Sequence, residues 1–405
     1  MRSFKCTRIA CYVGFFTQAV IINLAPLLFV SFKNSFGLSY EELGRLILIN
    51  FSVQICTDLL SVKFSEKIPL RLQTVTAHVL CLAGLVCMAT LPGIMPPYAG
   101  LVASVVMYSV GAGLIEVLLN PIVTYLPGAN TKVEIPLLHS FYCWGHVLVC
   151  VLSTVYLYFF TNWHVLTVMW AVVPLVGAVL FLLVPLPEFE KGKTRTPVKK
   201  LLKTKGFLTL MLVMVCSGAS EQAVAQWASY FAEIGLKMPK MAGDLIGLCG
   251  FALCMALCRM LYGIFGEKFD IGKTLTLSSL LCVASYLMIT LVNNPIVSVA
   301  GCALCGVSVA LMWPGTVAKA EEDFPHGGAA MFAILSVMGD IGCSAGPWIT
   351  GLVSDFVEKN TSLFKDIAVF NGISPEQLAL KCGLFVIIVF PVLMTVCLVN
   401  YIRNK

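Results

Sequence analysis

The chain has 405 residues, of which 59% are hydrophobic and only 12% charged, with a mean hydropathy of +0.90. A soluble globular chain carries about 25% charged residues, so this one has too little polar surface to face water along its length, and lipid must solvate most side chains. Cytosolic enzymes, secreted domains and nucleic-acid binders are excluded, and the net charge of +6 takes a topological meaning rather than marking an anionic partner.

A helix needs about 20 apolar residues to cross the hydrocarbon core. The chain divides into twelve such runs, at 8–31, 42–62, 70–91, 98–123, 136–160, 165–187, 207–234, 242–264, 273–292, 295–318, 329–354 and 377–401. Basic residues precede the first run, but it continues without a small-residue cleavage site and is expected to be a spanning helix. Ser39 with Glu42 three residues on, and Ser374 followed by Pro375 and Gln377, are patterns of capped helix starts. The 17 cysteines lie scattered in apolar runs, as at Cys249, Cys254, Cys258 and Cys282, and read as small core residues. The pair Cys302 and Cys305 has no second pair or histidine beside it. Neither a metal nor a cofactor is expected.

With twelve spans the loops alternate between two sides. Most of the 27 Lys and Arg fall on the side holding both termini, many of them in the segment KGKTRTPVKKLLKTK between spans six and seven. The positive-inside rule places both termini in the cytoplasm of a multi-pass cell-membrane protein. That basic linker, 188–206, divides the chain into 1–187 and 207–405. The halves repeat one another: Phe64-Ser65-Glu66-Lys67 returns as Phe265-Gly266-Glu267-Lys268, Gln18-Ala19-Val20 as Gln222-Ala223-Val224, and Asn120-Pro121 as Trp313-Pro314, all at an offset of about 200 residues. The expected fold is an all-α membrane protein of two six-helix bundles.

This architecture resembles the major facilitator superfamily. The superfamily's Gly-rich charged motif after spans two and eight is kept in Gly263 to Lys268 with Gly272-Lys273. It is degraded in Val62 to Lys67 with Arg71, where the leading glycine is gone. Within the superfamily, Gly113-Leu-Ile-Glu116-Val-Leu-Leu-Asn120-Pro121 is similar to span four of the fucose, galactose and glucose permeases. The resemblance implies a role for Glu116 in sugar binding and proton coupling. Leu138-His139-Ser-Phe141-Tyr142-Cys-Trp-Gly145 resembles their span five, with His139 standing where a glutamine contacts sugar. Span seven, with Gly218, Glu221, Trp227 and Tyr230, and the Gly-rich span eleven around Asp340 are also similar. One departure is plain: the family's span-one aspartate, three residues after an asparagine, falls here on Pro26 after Asn23, so proton coupling must use another position.

The polar residues inside the spans point the same way. A charge at a helix centre costs about 2.5–3.5 kcal/mol on insertion scales, and Glu116, Glu221 and Asp340 are the acids deep in their spans. Three carboxylates cannot all stay ionised cheaply in one low-dielectric cavity, so at least one is expected to bind a proton near neutral pH. Polar stripes at helical spacing accompany them: Asn50, Gln54 and Asp58 on span two, Glu116 and Asn120 on span four, His139, Tyr142 and His146 on span five, and Gln222, Gln226 and Trp227 on span seven. With Asn23, these supply the acids, amides and aromatic faces that suit a polyol. Asp58, Glu66, Lys67, Arg259, Glu267 and Lys268, near the cytoplasmic span ends, are expected to gate, Asp58 and Arg259 occupying equivalent repeat positions. His139 and His146 lack a third ligand for a metal. Asn360-Thr-Ser362 reads as a glycosylation sequon.

The expectation is a monomeric secondary transporter, not an enzyme, that moves a monosaccharide or related polyol with protons by alternating access between the two bundles. A proton-antiport exporter of drugs or metabolites is the alternative. A receptor or channel fits the two-fold repeat poorly, and no nucleophile with its base, nor an HExxH motif, supports an intramembrane enzyme.

Overall fold

The computed structural model describes residues 4–64, 68–127, 131–187, 201–265, 269–324 and 328–403. These residues form helices joined by short connections, with no strand among them. Among the described residues, eleven helical stretches are long and apolar enough to cross a membrane. The remaining one, Gly328–Lys359, is a 32-residue helix, longer at about 1.5 Å per residue than a crossing requires. It supplies span eleven of the expected twelve.

Helix ends and breaks follow the local chemistry. Span two opens on a capping box, in which Ser39 N–H donates to Glu42 Oε2 at 2.9 Å and Glu42 N–H to Ser39 Oγ at 3.2 Å. Ser374 and Gln377 form the same arrangement at the start of span twelve, with Pro375 in the first turn. Several spans are broken, and the breaks lie three or four residues ahead of a proline. Span six divides into Trp163–Trp170 and Val172–Leu183 before Pro174, span ten into Pro295–Val309 and Met312–Asp323 before Pro314, and span twelve into Pro375–Val386 and Val389–Arg403 before Pro391. The proline ring clashes with the carbonyl four residues back and offers it no N–H. Span one breaks differently, at Leu28 between Phe4–Leu27, which contains Pro26, and Phe29–Phe36; it ends on Gly37 at φ +66°, whose N–H caps Lys33 O.

The contacts divide the chain into two compact units: Met1–Leu38 with Ile49–Gly192, and Ser39–Leu48 with Lys193–Lys405. The first residues of the span-two helix, Tyr40–Phe64, thus group with the second unit, whereas the sequence reading gave all of span two to the first bundle. The reason is local packing. Tyr40 makes edge contacts with Trp227 and Tyr230 at centroid distances of 6.3 and 5.6 Å, Trp348 Nε1 donates to Glu41 Oε1 at 3.2 Å, and Gly44 lies against the backbone of Pro347 and Trp348. The span-seven helix, Lys205–Tyr230, starts within the residues read from sequence as linker. Leu201 ahead of it is buried in a core with Phe207, Leu210, Met214, Met331 and Leu335.

Each unit has a helix crossing built on glycines. In the first, Gly84 of span three meets the backbone of Tyr108 on span four. In the second, Gly218, Gly342 and Gly346 bring spans seven and eleven into backbone contact, against Gly339 O, Val215 O and Ala219 O respectively. Small residues permit such close approach where lipid supplies no hydrophobic drive between helices. Large apolar side chains such as Leu152, Phe159, Met169, Val172 and Leu183 are exposed on the outside, as a lipid-facing surface requires.

Candidate functional site

Within the first unit, four spans bring a set of polar side chains together. Spans two and four run side by side in matched steps. Ser109 Oγ donates to Asn50 Oδ1 at 2.6 Å, and Gln54 Nε2 donates to the same oxygen at 3.1 Å. One step on, Gly113 faces Gln54 O, Thr57 and Asp58, with Asp58 Oδ1 lying 3.1 Å from the position a Cβ on Gly113 would take. A further turn brings Glu116 to the same face.

Glu116 is half-buried. Its Oε2 accepts from Gln18 Nε2 of span one at 2.7 Å, and its backbone carbonyl accepts from Asn120 Nδ2 at 3.0 Å. Asn120 Oδ1 in turn lies 3.3 Å from His139 Nε2 of span five, and the His139 ring makes an edge contact with Phe15 at 4.9 Å. Asn23 Nδ2 donates to Ala19 O at 2.9 Å and to the Tyr142 hydroxyl at 3.4 Å. Beside these, Tyr12 stacks on Phe141 with centroids 4.1 Å apart.

The predicted residues separate by exposure. His139 is exposed, and Glu116, Asn120 and Tyr142 are half-buried, so these four keep part of their surface accessible. Asn23, Asn50 and Gln54 are buried and hold their neighbours in place. His146 is also buried, and its Nε2 has no hydrogen-bond partner among the described residues.

The second unit has its own polar arrangement. Arg259 of span eight places NH2 3.6 Å from Glu221 Oε2 and donates from Nε to Ala310 O at 2.9 Å. The arginine that the repeat pairs with Asp58, and that the sequence reading gave to gating, thus serves as counter-ion to the buried acid of its own unit. Gln226 Nε2 donates to Gln222 Oε1 at 3.0 Å. Trp227 is fully buried, with its indole N–H donating to Pro347 O at 2.9 Å; that placement makes it a packing residue of the seven–eleven crossing. Asp340 is buried on span eleven, one residue beyond Gly339, which packs against Trp313. Glu66, Lys67, Glu267 and Lys268 lie outside the described residues.

Two features escaped the sequence reading. Gln18 is the direct partner of Glu116; its signal was available, since it opens the Gln-Ala-Val repeat shared with span seven. The other is a cluster at the junction of spans seven and eight, where Lys240 lies 3.3 Å from the fully buried Asp244 and 3.4 Å from Glu233, and Ser229 donates to Asp244. The helices there widen into π turns at Phe231–Gly235 and Gly243–Leu248. Hydropathy carries no signal for a π turn.

Comparison with known proteins agrees with this architecture. The family profile described as Major Facilitator Superfamily matches residues 135–347. No curated protein sequence matches the chain. Among solved structures, the nucleoside transporter NupG is similar at a TM-score of 0.75 and 14% identity, over 98% of this chain and 99% of that one. A bacterial homologue of the human lysosomal transporter Spinster, in an inward-facing and occupied conformation, gives 0.76 and 14% over 98% and 97%. The E. coli fucose:proton symporter FucP gives 0.59 and 17% over 97% and 99%.

Proposed function

The chain belongs to the major facilitator superfamily, and from that premise we propose that it moves a monosaccharide or related polyol across the cell membrane together with protons. Glu116 is the coupling acid, and Asn120, His139 and Tyr142 are the solute contacts of the first unit. The observation that carries this reading is the difference between the two glutamates inside the spans, Glu221 buried and Glu116 half-buried. Glu221 has a guanidinium beside it at 3.6 Å, which offsets part of the cost of its burial within its own unit. Glu116 has the neutral amide of Gln18 and no ion pair to a cation among the described residues. A buried carboxylate without a counter-ion is stabilised by taking up a proton, and one that also faces a polar solute couples the two events.

The polar surface around Glu116 supports a polyol. It offers a carboxylate, an amide, an imidazole and a phenol, which both accept from and donate to hydroxyl groups. NupG carries nucleosides and FucP carries fucose with a proton, both polyhydroxylated solutes. Asp340 and Glu221 keep secondary places in coupling, and Gln222 and Gln226, buried and hydrogen-bonded to each other, hold their neighbours in place in the second unit. The basic residues place both termini in the cytoplasm, and the chain works as a monomer.

A thermal-shift screen of the purified protein against monosaccharides, nucleosides, amino acids and lipophilic cations tests this, because a ligand that binds only the folded carrier raises its melting temperature. A shift with a monosaccharide or other polyol, reduced in Asn120→Ala and His139→Ala, is the expected result. Stabilisation by lipophilic cations alone would point to the exporter reading and overturn this one.

A further inference from the structure

We propose that Asp58 is the second coupling carboxylate of this carrier and that it shares a single proton with Glu116. The inference rests on the proton-coupled reading above and reassigns Asp58 from gating. The step-by-step match of spans two and four carries it: Asn50 meets Ser109, Gln54 and Asp58 meet Gly113, and Glu116 follows Gly113 by one turn on the same face of span four. Gly113 makes the approach possible. It has no side chain, and Asp58 Oδ1 lies 3.1 Å from where its Cβ would stand. Any larger residue there would crowd the Asp58 carboxylate.

Asp58 Oδ1 is buried and has no hydrogen-bond donor among the described residues, which is costly for a carboxylate oxygen that is ionised and cheap for one that faces a protonated neighbour. Among the described residues the Glu116 side chain accepts from the Gln18 amide alone, and two carboxylates sharing one low-dielectric site repel each other when both are ionised. The charged and titratable groups around the pair are few. Span one contributes neutral Gln18, span two Thr57 and Gln54, and span four Asn120, through which His139 of span five is reached. No Lys or Arg among the described residues forms an ion pair with Asp58 or Glu116. One proton held between two like charges relieves the repulsion and supplies the missing donor. It also gives the first unit two coupling carboxylates although Pro26 stands in span one. Entry of a solute hydroxyl at Glu116 would compete for the same lone pairs, so proton and solute occupancy become linked at one place.

Infrared difference spectroscopy of the purified full-length protein, titrated through neutral pH without any solute, reads the protonated carboxyl directly. The expected result is one titrating carboxyl band in the wild type, with Asp58→Asn and Glu116→Gln each lowering the proton affinity of the remaining acid by tenfold or more. Asp58→Glu and Glu116→Asp keep both acids and are expected to retain the band, and its loss in either variant while the protein stays folded would overturn the sharing. If Asp58→Asn leaves the titration unchanged while Glu116→Gln abolishes it, sharing is refuted and Glu116 stands alone as the coupling acid. If Glu116→Gln leaves it unchanged, both the sharing and the role of Glu116 fall.

Discussion

The crossing of spans seven and eleven depends on contact between backbones, and Gly346→Ala probes it with a predictable sign. A Cβ at Gly346 would lie 2.6 Å from Ala219 O, 2.9 Å from its Cα and 3.1 Å from its carbonyl carbon. Carbon-to-carbonyl approaches between helices run at about 3.3–3.6 Å, so span eleven must withdraw by roughly 0.7 Å to admit the methyl group. The obstructing atoms are all backbone, and no side chain can rotate away. Overpacking of this kind costs about 1–3 kcal/mol. Against it stands the gain of about 0.8–1.0 kcal/mol for replacing Gly by Ala in a helix, leaving a net loss of roughly 0–2 kcal/mol. Gly250 supplies the control, because its nearest neighbour to a new Cβ is Ala303 Cβ at 3.6 Å, an ordinary contact. Gly250→Ala therefore keeps the helix gain and is expected to stabilise by up to about 1 kcal/mol. Thermal unfolding in detergent, followed by tryptophan fluorescence, should show opposite shifts of about 2–4 °C per kcal/mol. A midpoint for Gly346→Ala equal to or above that of Gly250→Ala would refute the backbone contact.

Further expectations follow from the same geometry. Arg259→Met leaves Glu221 without its counter-ion and should lower stability by about 1–3 kcal/mol, less than a fully buried pair because Arg259 is partly exposed; adding Glu221→Gln should recover most of the loss, and strict additivity in the double-mutant cycle would contradict the pair. Trp227→Phe removes the bond to Pro347 O and should cost about 1 kcal/mol of stability while leaving solute affinity within a few-fold; a large loss of affinity at unchanged stability would return Trp227 to the binding site. Asn162→Ala deletes the cap that accepts from His164 and Val165 N–H at 3.1 and 3.3 Å and should destabilise by about 1 kcal/mol; an unchanged unfolding midpoint would show that the cap adds nothing.

Much of the architecture was open to reading from sequence, because lipid imposes one rule on every span: about 20 apolar residues with few charges. Ser39 with Glu42 and Ser374 with Gln377 marked helix starts that the structure has, since a capping box is wholly local. Features that depend on partners far away in the chain were not readable. The grouping of Ser39–Leu48 with the second unit arises from Tyr40 against Trp227 and Gly44 against Pro347, and neither half of those contacts signals the other. The candidate site divides in the same way. Periodicity gathered Asn50, Gln54 and Asp58 on one helical face and Glu116 with Asn120 on another, but it could not tell an exposed polar group from one held inside. Gln54 and Ser109 both donate to Asn50, Trp227 is enclosed, and Arg259 lies beside Glu221. Each of those facts depends on which helix lies next to which, and a stripe on a single helix does not contain that information.

Proton uptake by reconstituted proteoliposomes tests the central claim most directly. A pH-sensitive dye inside the vesicles would follow addition of a monosaccharide that raises the melting temperature, for the wild type and for Glu116→Gln. Sugar-dependent acidification is expected in the wild type, and in Glu116→Gln its loss with exchange of labelled sugar retained. Acidification that persists in Glu116→Gln at the wild-type rate would contradict it.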